Sequence, residues 1–163
     1  MGYIEETGAA QFYRDARIAP IYEGTNGIQA IDLAGRKLSM EGGEAVRDLM
    51  AELRDIADSV GEAMGVVLSA GIDAVERASA GLAKTGGTAA LTGAAAYLKL
   101  FGDVLGGALL CKSALLAAAQ DDAAWTADRT ALARFYVEQV LIGAPALADA
   151  ALAGDEALKQ IAF

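Results

Sequence analysis

One carboxylate in this sequence of 163 residues stands where it could perform acid–base chemistry, and that is Glu23. An apolar run, residues 18–22, precedes it, and two glycines and two capping residues follow it in positions 24–27. Pro20 cannot continue a helix and pushes the residue before it toward extended geometry. Thr25 or Asn26 can cap a following helix through a side-chain oxygen. The pattern predicts a tight loop that holds the carboxylate between apolar neighbours at a helix N-terminus.

Taken alone, a loop glutamate is more often exposed and inert than catalytic, so the rest of the sequence has to decide. The sequence contains no histidine. This excludes Ser-His-Asp and Cys-His catalysis, the common histidine metal ligands and a di-iron helical bundle. Three acidic residues on one helix face, Asp55, Asp58 and Glu62, are interpreted as a solvated surface. Three aromatic residues, Trp125, Phe135 and Tyr136, are interpreted as core.

The segment around Glu23 resembles the C-terminal signature of the acyl-CoA dehydrogenases, FAD-dependent flavoproteins that desaturate acyl-CoA thioesters. The resemblance covers residues 2–38 and rests on spaced elements in one order: Gly2-Tyr3, Arg14-Asp15-Ala16-Arg17-Ile18, Tyr22-Glu23-Gly24-Thr25 and Ile28-Gln29. Residues 41–163 resemble, more loosely, the helical C-terminal extension of the branch that includes the 3-methylmercaptopropionyl-CoA dehydrogenases. The two regions define a predicted division into residues 1–40 and 41–163, at the glycine pair of residues 42–43.

The resemblance implies a role for each residue of the loop. Glu23 would remove the α-proton of the acyl-CoA thioester while the flavin accepts a hydride from the β-carbon. Tyr22 and Gly24 would line the acyl-CoA site, and Thr25 and Asn26 would contact FAD at a helix N-terminus. The family also implies an electron-transfer flavoprotein as partner and a homo-oligomer. The elements that bind most of the flavin are absent from the sequence, so we expect this chain alone to be inactive and to lack bound FAD.

Hydrophobic periodicity predicts an all-α fold, an antiparallel helical bundle without strands. The predicted helices cover residues 4–17, 27–39, 44–60, 62–83, 89–120, 124–143 and 146–153. The first two are expected to lean on the bundle formed by the others. Arg14 and Arg17 are interpreted as structural ion-pair partners.

Composition limits the partners and the compartment. The net charge of −9 disfavours nucleic acid and anionic membranes, which reward basic clusters. Charged residues interrupt the most apolar region, residues 86–120, so no membrane span is predicted. The one cysteine, Cys111, is interpreted as a buried apolar residue and fits a reducing compartment, with the cytoplasm as the default. The alternative function is a helical interaction or oligomerisation module without chemistry, formed by residues 41–163.

Overall fold

A computed structural model describes residues 4–19, 21–22 and 26–161 of the chain. The described residues form eight α-helices and no strand, which confirms the predicted all-α class. Short single turns of 3-10 helix connect or follow them at residues 40–43, 141–143 and 158–160. The helices are α1 Ala9–Ile18, α2 Asn26–Asp32, α3 Glu44–Ser59, α4 Glu62–Thr85, α5 Gly87–Thr92, α6 Ala94–Ala118, α7 Ala123–Gln139 and α8 Ala144–Ala151.

Helix α6 lies at the centre of the bundle and packs against α2, α3, α4, α7 and α8. Its neighbours α4, α7 and α8 run antiparallel to it, and short connections join α3 to α4 and α6 to α7. Among the described helices, α6 alone is long and apolar enough by length and composition to cross a membrane. Its contacts with five other helices are those of the core helix of a bundle.

The two N-terminal helices differ in how they meet this bundle. Helix α2 and the wider turn that continues it to residue 37 contribute Ala30 and Ala34 to the same apolar core as α4 and α6. Helix α1 buries only Ala10, and that residue lies outside the core cluster. The expectation that both helices lean on the bundle therefore holds for α2 only.

Two boundaries differ from the sequence prediction for reasons visible in the backbone. The first helix begins at Ala9 and not at residue 4, because Gly8 adopts a φ of 74° that no right-handed helix contains. The predicted single helix over residues 89–120 is two helices, α5 and α6, which meet at Gly93. The carbonyl group of Ala151, at the end of α8, lies directly against the Cα of Gly93, where any side chain would collide with it.

A hydroxyl pair supplies the polar contact inside the core. Ser79 Oγ donates to the carbonyl oxygen of Val75 at 2.7 Å and lies 2.7 Å from the Tyr97 hydroxyl. Since the serine proton is used, the Tyr97 hydroxyl donates to Ser79. Burial raises the pKa of Tyr97.

The hydroxyl pair predicts unequal costs for two conservative substitutions. Ser79→Ala should lower the free energy of unfolding by about 1–3 kcal/mol, because the fully buried Tyr97 hydroxyl loses its partner. Tyr97→Phe should cost less, about 0.5–1.5 kcal/mol, because Ser79 keeps its bond to Val75. Urea denaturation of both variants and of the double variant measures the difference. A double variant whose cost equals the sum of the two single costs would show that the hydroxyls do not interact.

Candidate functional site

The structure describes the two helices on either side of the predicted loop around Glu23. Helix α1 ends at Ile18, and the Ile21 amide donates to the Ile18 carbonyl oxygen at 3.0 Å, which closes a turn. Helix α2 begins at Asn26. The two helices are therefore separate elements, as the sequence pattern requires. Glu23, Gly24 and Thr25 lie outside the described residues, and so does Pro20, so their predicted roles remain predictions.

The described residues next to Glu23 are open to solvent. The Tyr22 side chain is 64% exposed, and Asn26 is exposed in the first turn of α2. Large apolar side chains from both flanking helices are also exposed, and we call this set the N-terminal apolar surface: Phe12, Tyr13, Ile18, Ile21, Tyr22, Ile28, Ile31. Scattered exposed apolar residues are ordinary, whereas here seven large ones lie within residues 12–31.

Two arginines of the N-terminal segment, Arg14 and Arg36, form ion pairs. Arg14 Nη1 lies 3.2 Å from Glu5 Oε1, and both side chains are exposed, so the pair adds little stability. Arg36 donates two hydrogen bonds to the two carboxylate oxygens of Asp32, at 2.7 and 2.9 Å. The Arg36 hydrogen bond lowers the pKa of Asp32 below its ordinary value. Asp32 is thus held as a carboxylate in a structural pair with Arg36.

The start of α2 is the described part of the loop to which the family resemblance assigns a flavin contact. At the start of α2 the backbone N–H groups of the first turn have no partner within the helix, and Asn26 beside them is exposed. These are the groups to which a polar edge or a phosphate of a cofactor binds. Asn26 is exposed there, and its contact with FAD stays a prediction.

The remaining chemically active side chains in the described residues have structural surroundings. Cys111 is fully buried, and burial raises the pKa of its thiol, so the interpretation as an apolar core residue is confirmed. Asp55, Asp58 and Glu62 are exposed. Across residues 4–19, 21–22 and 26–161, no three His, Cys, Asp or Glu side chains gather as metal ligands would.

The assignment of the aromatic residues of α7 to the core was wrong for two of the three. Trp125 and Phe135 are exposed, whereas Tyr136 is partly buried. Helix α7 is an outer helix that turns Ala133 and Val137 toward α6, and Phe135 points away from that face. The guanidinium carbon of Arg129 lies 4.2 Å from the centre of the Trp125 ring, which covers one face of the indole.

Comparison with known protein families matches both parts of the chain. The family described as "Acyl-CoA dehydrogenase, C-terminal domain" matches residues 1–38, the stretch that contains Glu23. The family described as "Acetyl-CoA dehydrogenase C-terminal like" matches residues 41–162.

Individual relatives agree with these matches. The chain is 39% identical over 155 residues to the 3-methylmercaptopropionyl-CoA dehydrogenase of Ruegeria pomeroyi, an alignment that covers 87% of this chain and 26% of that protein. It is 26% identical over 166 residues to a broad-specificity linear acyl-CoA dehydrogenase of Mycobacterium tuberculosis, covering 86% and 26%. A mitochondrial short-chain specific acyl-CoA dehydrogenase of Rattus norvegicus is 55% identical over 38 residues, 23% of this chain and 9% of that protein. Two of these relatives, from Ruegeria pomeroyi and Mycobacterium tuberculosis, match most of this chain, and the chain spans about a quarter of the length of each.

Proposed function

Because the chain belongs to the acyl-CoA dehydrogenase family, we propose that it is the C-terminal part of an FAD-dependent enzyme that desaturates an acyl-CoA thioester. We place the catalytic base at Glu23, and the observation that carries this assignment is the match of residues 1–38 to the family's C-terminal domain. Tyr22 and Gly24 line the acyl-CoA site in this proposal, and Thr25 and Asn26 contact the cofactor.

The proposed chemistry at Glu23 follows from its surroundings. An unperturbed glutamate, with a pKa of about 4.3, is a weak base, and the α-proton of a thioester is weakly acidic. An acyl chain that covers the loop displaces water from the carboxylate, which raises its pKa and makes it a stronger base. A backbone N–H group that donates to the thioester carbonyl stabilises the negative charge that develops there as the proton leaves. Bound FAD would accept the hydride from the β-carbon.

The N-terminal apolar surface supports the view that residues 1–40 belong to a larger domain. Its side chains flank the loop on both sides, and α1 contributes nothing to the core of the bundle. We propose that the preceding part of the parent enzyme covers this surface and completes the acyl-CoA and flavin sites. The division between residues 40 and 41 then separates the catalytic domain from the helical extension.

This proposal predicts that the chain of 163 residues, purified alone, binds FAD weakly or not at all and has no dehydrogenase activity. One wall of the cofactor site buries too little of the flavin to hold it. The measurement is the flavin absorbance of the protein after incubation with excess FAD and gel filtration, with the full-length parent treated identically as the control. A yellow preparation with one FAD per chain would contradict the prediction.

The alternative role as an interaction module is compatible with this assignment, because the two functions concern different segments. Exposed apolar side chains on the outer faces of α6 and α7 favour it: Leu109, Leu116, Phe135. Light scattering on the same gel-filtered chain tests it, since a dimer supports self-association and a monomer at high concentration argues against it.

A further inference from the structure

A groove in the helical extension has the size and lining of a binding site that the proposed chemistry does not use. Leu38 and Ser39, the turn of residues 40–43, α3 and α4 line a cavity of about 580 Å³ that is open to solvent on one side. We call it the α3–α4 groove. Its walls are mainly apolar, and the side chains that form them include Leu38, Val46, Met50, Ala80 and Ala83. Small-molecule sites in proteins have volumes in this range and are lined in the same way.

The wall of the groove that α4 provides includes small residues, whereas α3 contributes Val46, Arg47 and Met50. Helix α4 turns Ala80 and Ala83 toward α3, and neither side chain reaches across the gap. The turn between α2 and α3 passes through three consecutive left-handed residues, Glu41 at φ 51°, Gly42 at φ 65° and Gly43 at φ 84°, and these carry the chain around the rim. A glutamate in that conformation is uncommon, which indicates that the surrounding structure fixes the turn.

The polar atoms in the floor of the groove are already paired with each other. Ser79, which lines the floor, donates to Val75 and accepts from Tyr97. A ligand therefore does not need to bring a polar group to this end, and an apolar chain leaves no donor or acceptor unsatisfied. The floor favours an aliphatic end over a polar one.

The entrance of the groove has an acidic residue, Glu76, on α4 and a basic residue, Arg47, on α3. Glu76 accepts a hydrogen bond at 2.7 Å from Arg54, which also donates to Asp73 at 2.7 Å, so Arg54 offsets the charge of Glu76 only in part. Arg47 is held more loosely, by a 3.3 Å hydrogen bond to the Gly42 carbonyl oxygen and a 3.9 Å approach to Glu44. The planar guanidinium of Arg47 has further N–H groups that match the geometry of a carboxylate.

We propose that the α3–α4 groove binds a linear aliphatic carboxylate, with its chain on the apolar walls and its carboxylate on Arg47. A second cavity of about 370 Å³ shares Leu38, Ser39 and Ala83 with the groove and continues along the end of α2 toward α5. Longer chains extend into this space. The proposal concerns residues of the extension and the end of α2, and it is independent of whether Glu23 is the base of a dehydrogenase.

The first test is calorimetric titration of the chain of 163 residues with octanoate and decanoate, both below their micelle concentrations. Saturable binding with one site per chain is expected, and decanoate should bind about fifteenfold more tightly, because each of its two additional methylenes contributes about fourfold when buried. Ala80→Leu fills the groove and should weaken decanoate binding at least tenfold. Ala70→Leu is the matched control, since Ala70 is also an exposed alanine of α4 but lies outside the groove. The affinity of this variant for decanoate should change less than twofold.

The second test concerns the head group and uses a rim residue whose replacement leaves the core unchanged. Arg47→Gln should weaken decanoate at least fivefold and leave the affinity for 1-decanol, which has no charge, within twofold. Thermal denaturation of each variant confirms that it folds. The proposal is overturned if the unmodified chain shows no saturable binding, if both alanine variants lose affinity equally, or if Arg47→Gln has the same effect on the acid and the alcohol.

Discussion

In the full-length dehydrogenase that we propose, Glu23→Gln should slow acyl-CoA-dependent flavin reduction by about 10²–10⁴-fold and leave the bound flavin in place. Glutamine keeps the size of the side chain and some hydrogen bonding, but it cannot accept the α-proton. The loss therefore falls on the chemical step and not on binding. Anaerobic stopped-flow mixing with acyl-CoA, followed at the flavin absorbance, measures the reduction rate directly.

A matched control separates loss of the base from a general effect of removing a carboxylate near the loop. Glu6→Gln makes the same chemical change at an exposed position of the same N-terminal segment, before α1 begins. Its reduction rate should stay within twofold of the unmodified enzyme, and both variants should contain the same flavin per chain. Normal turnover in Glu23→Gln would refute the assignment, and loss of FAD from that variant would point to a cofactor contact.

The largest expected effect on stability is that of Gly93→Ala, which should lower the free energy of unfolding by about 3 kcal/mol or more. The added methyl group meets the backbone carbonyl of Ala151, and a backbone cannot rotate aside as a flexible side chain can. Either α8 or the start of α6 must move, although α8 contributes Ala144, Ala148 and Ala151 to the core. Urea denaturation followed by circular dichroism measures the change.

Gly102→Ala is the control for this prediction, because Gly102 lies in the interior of α6 with no other atom near the position of a Cβ. Alanine restricts the unfolded chain more than glycine, so this variant should be more stable by about 0.5–1 kcal/mol. Opposite signs for the two substitutions are the expected result. A stability loss of less than 1 kcal/mol for Gly93→Ala would show that α8 yields to the methyl group at little cost.

The sequence alone was sufficient for the helical class and for the break in the chain around Glu23. Periodicity predicted α3 over residues 44–60, and the observed helix covers 44–59, because its apolar and charged faces are sharply separated. Pro20 and the glycines after Glu23 predicted a loop, and the helices on its two sides do end and begin there. These features depend on local preferences, which the sequence states directly.

Only the tertiary structure shows which side of each helix is covered and which glycines allow a neighbouring element to approach closely. Of the three glycines of α6, two meet a neighbour: a Cβ at Gly107 would lie 2.5 Å from the Leu141 side chain and one at Gly106 would lie 3.1 Å from the Tyr136 hydroxyl, whereas Gly102 faces open space. Phe135 has the spacing of a core residue but lies on the outer face of α7. Periodicity tells which residues share a face, but the neighbour that covers that face comes from distant parts of the chain. The α3–α4 groove likewise depends on residues far apart in sequence, so the spacing of residues along one helix could not predict it.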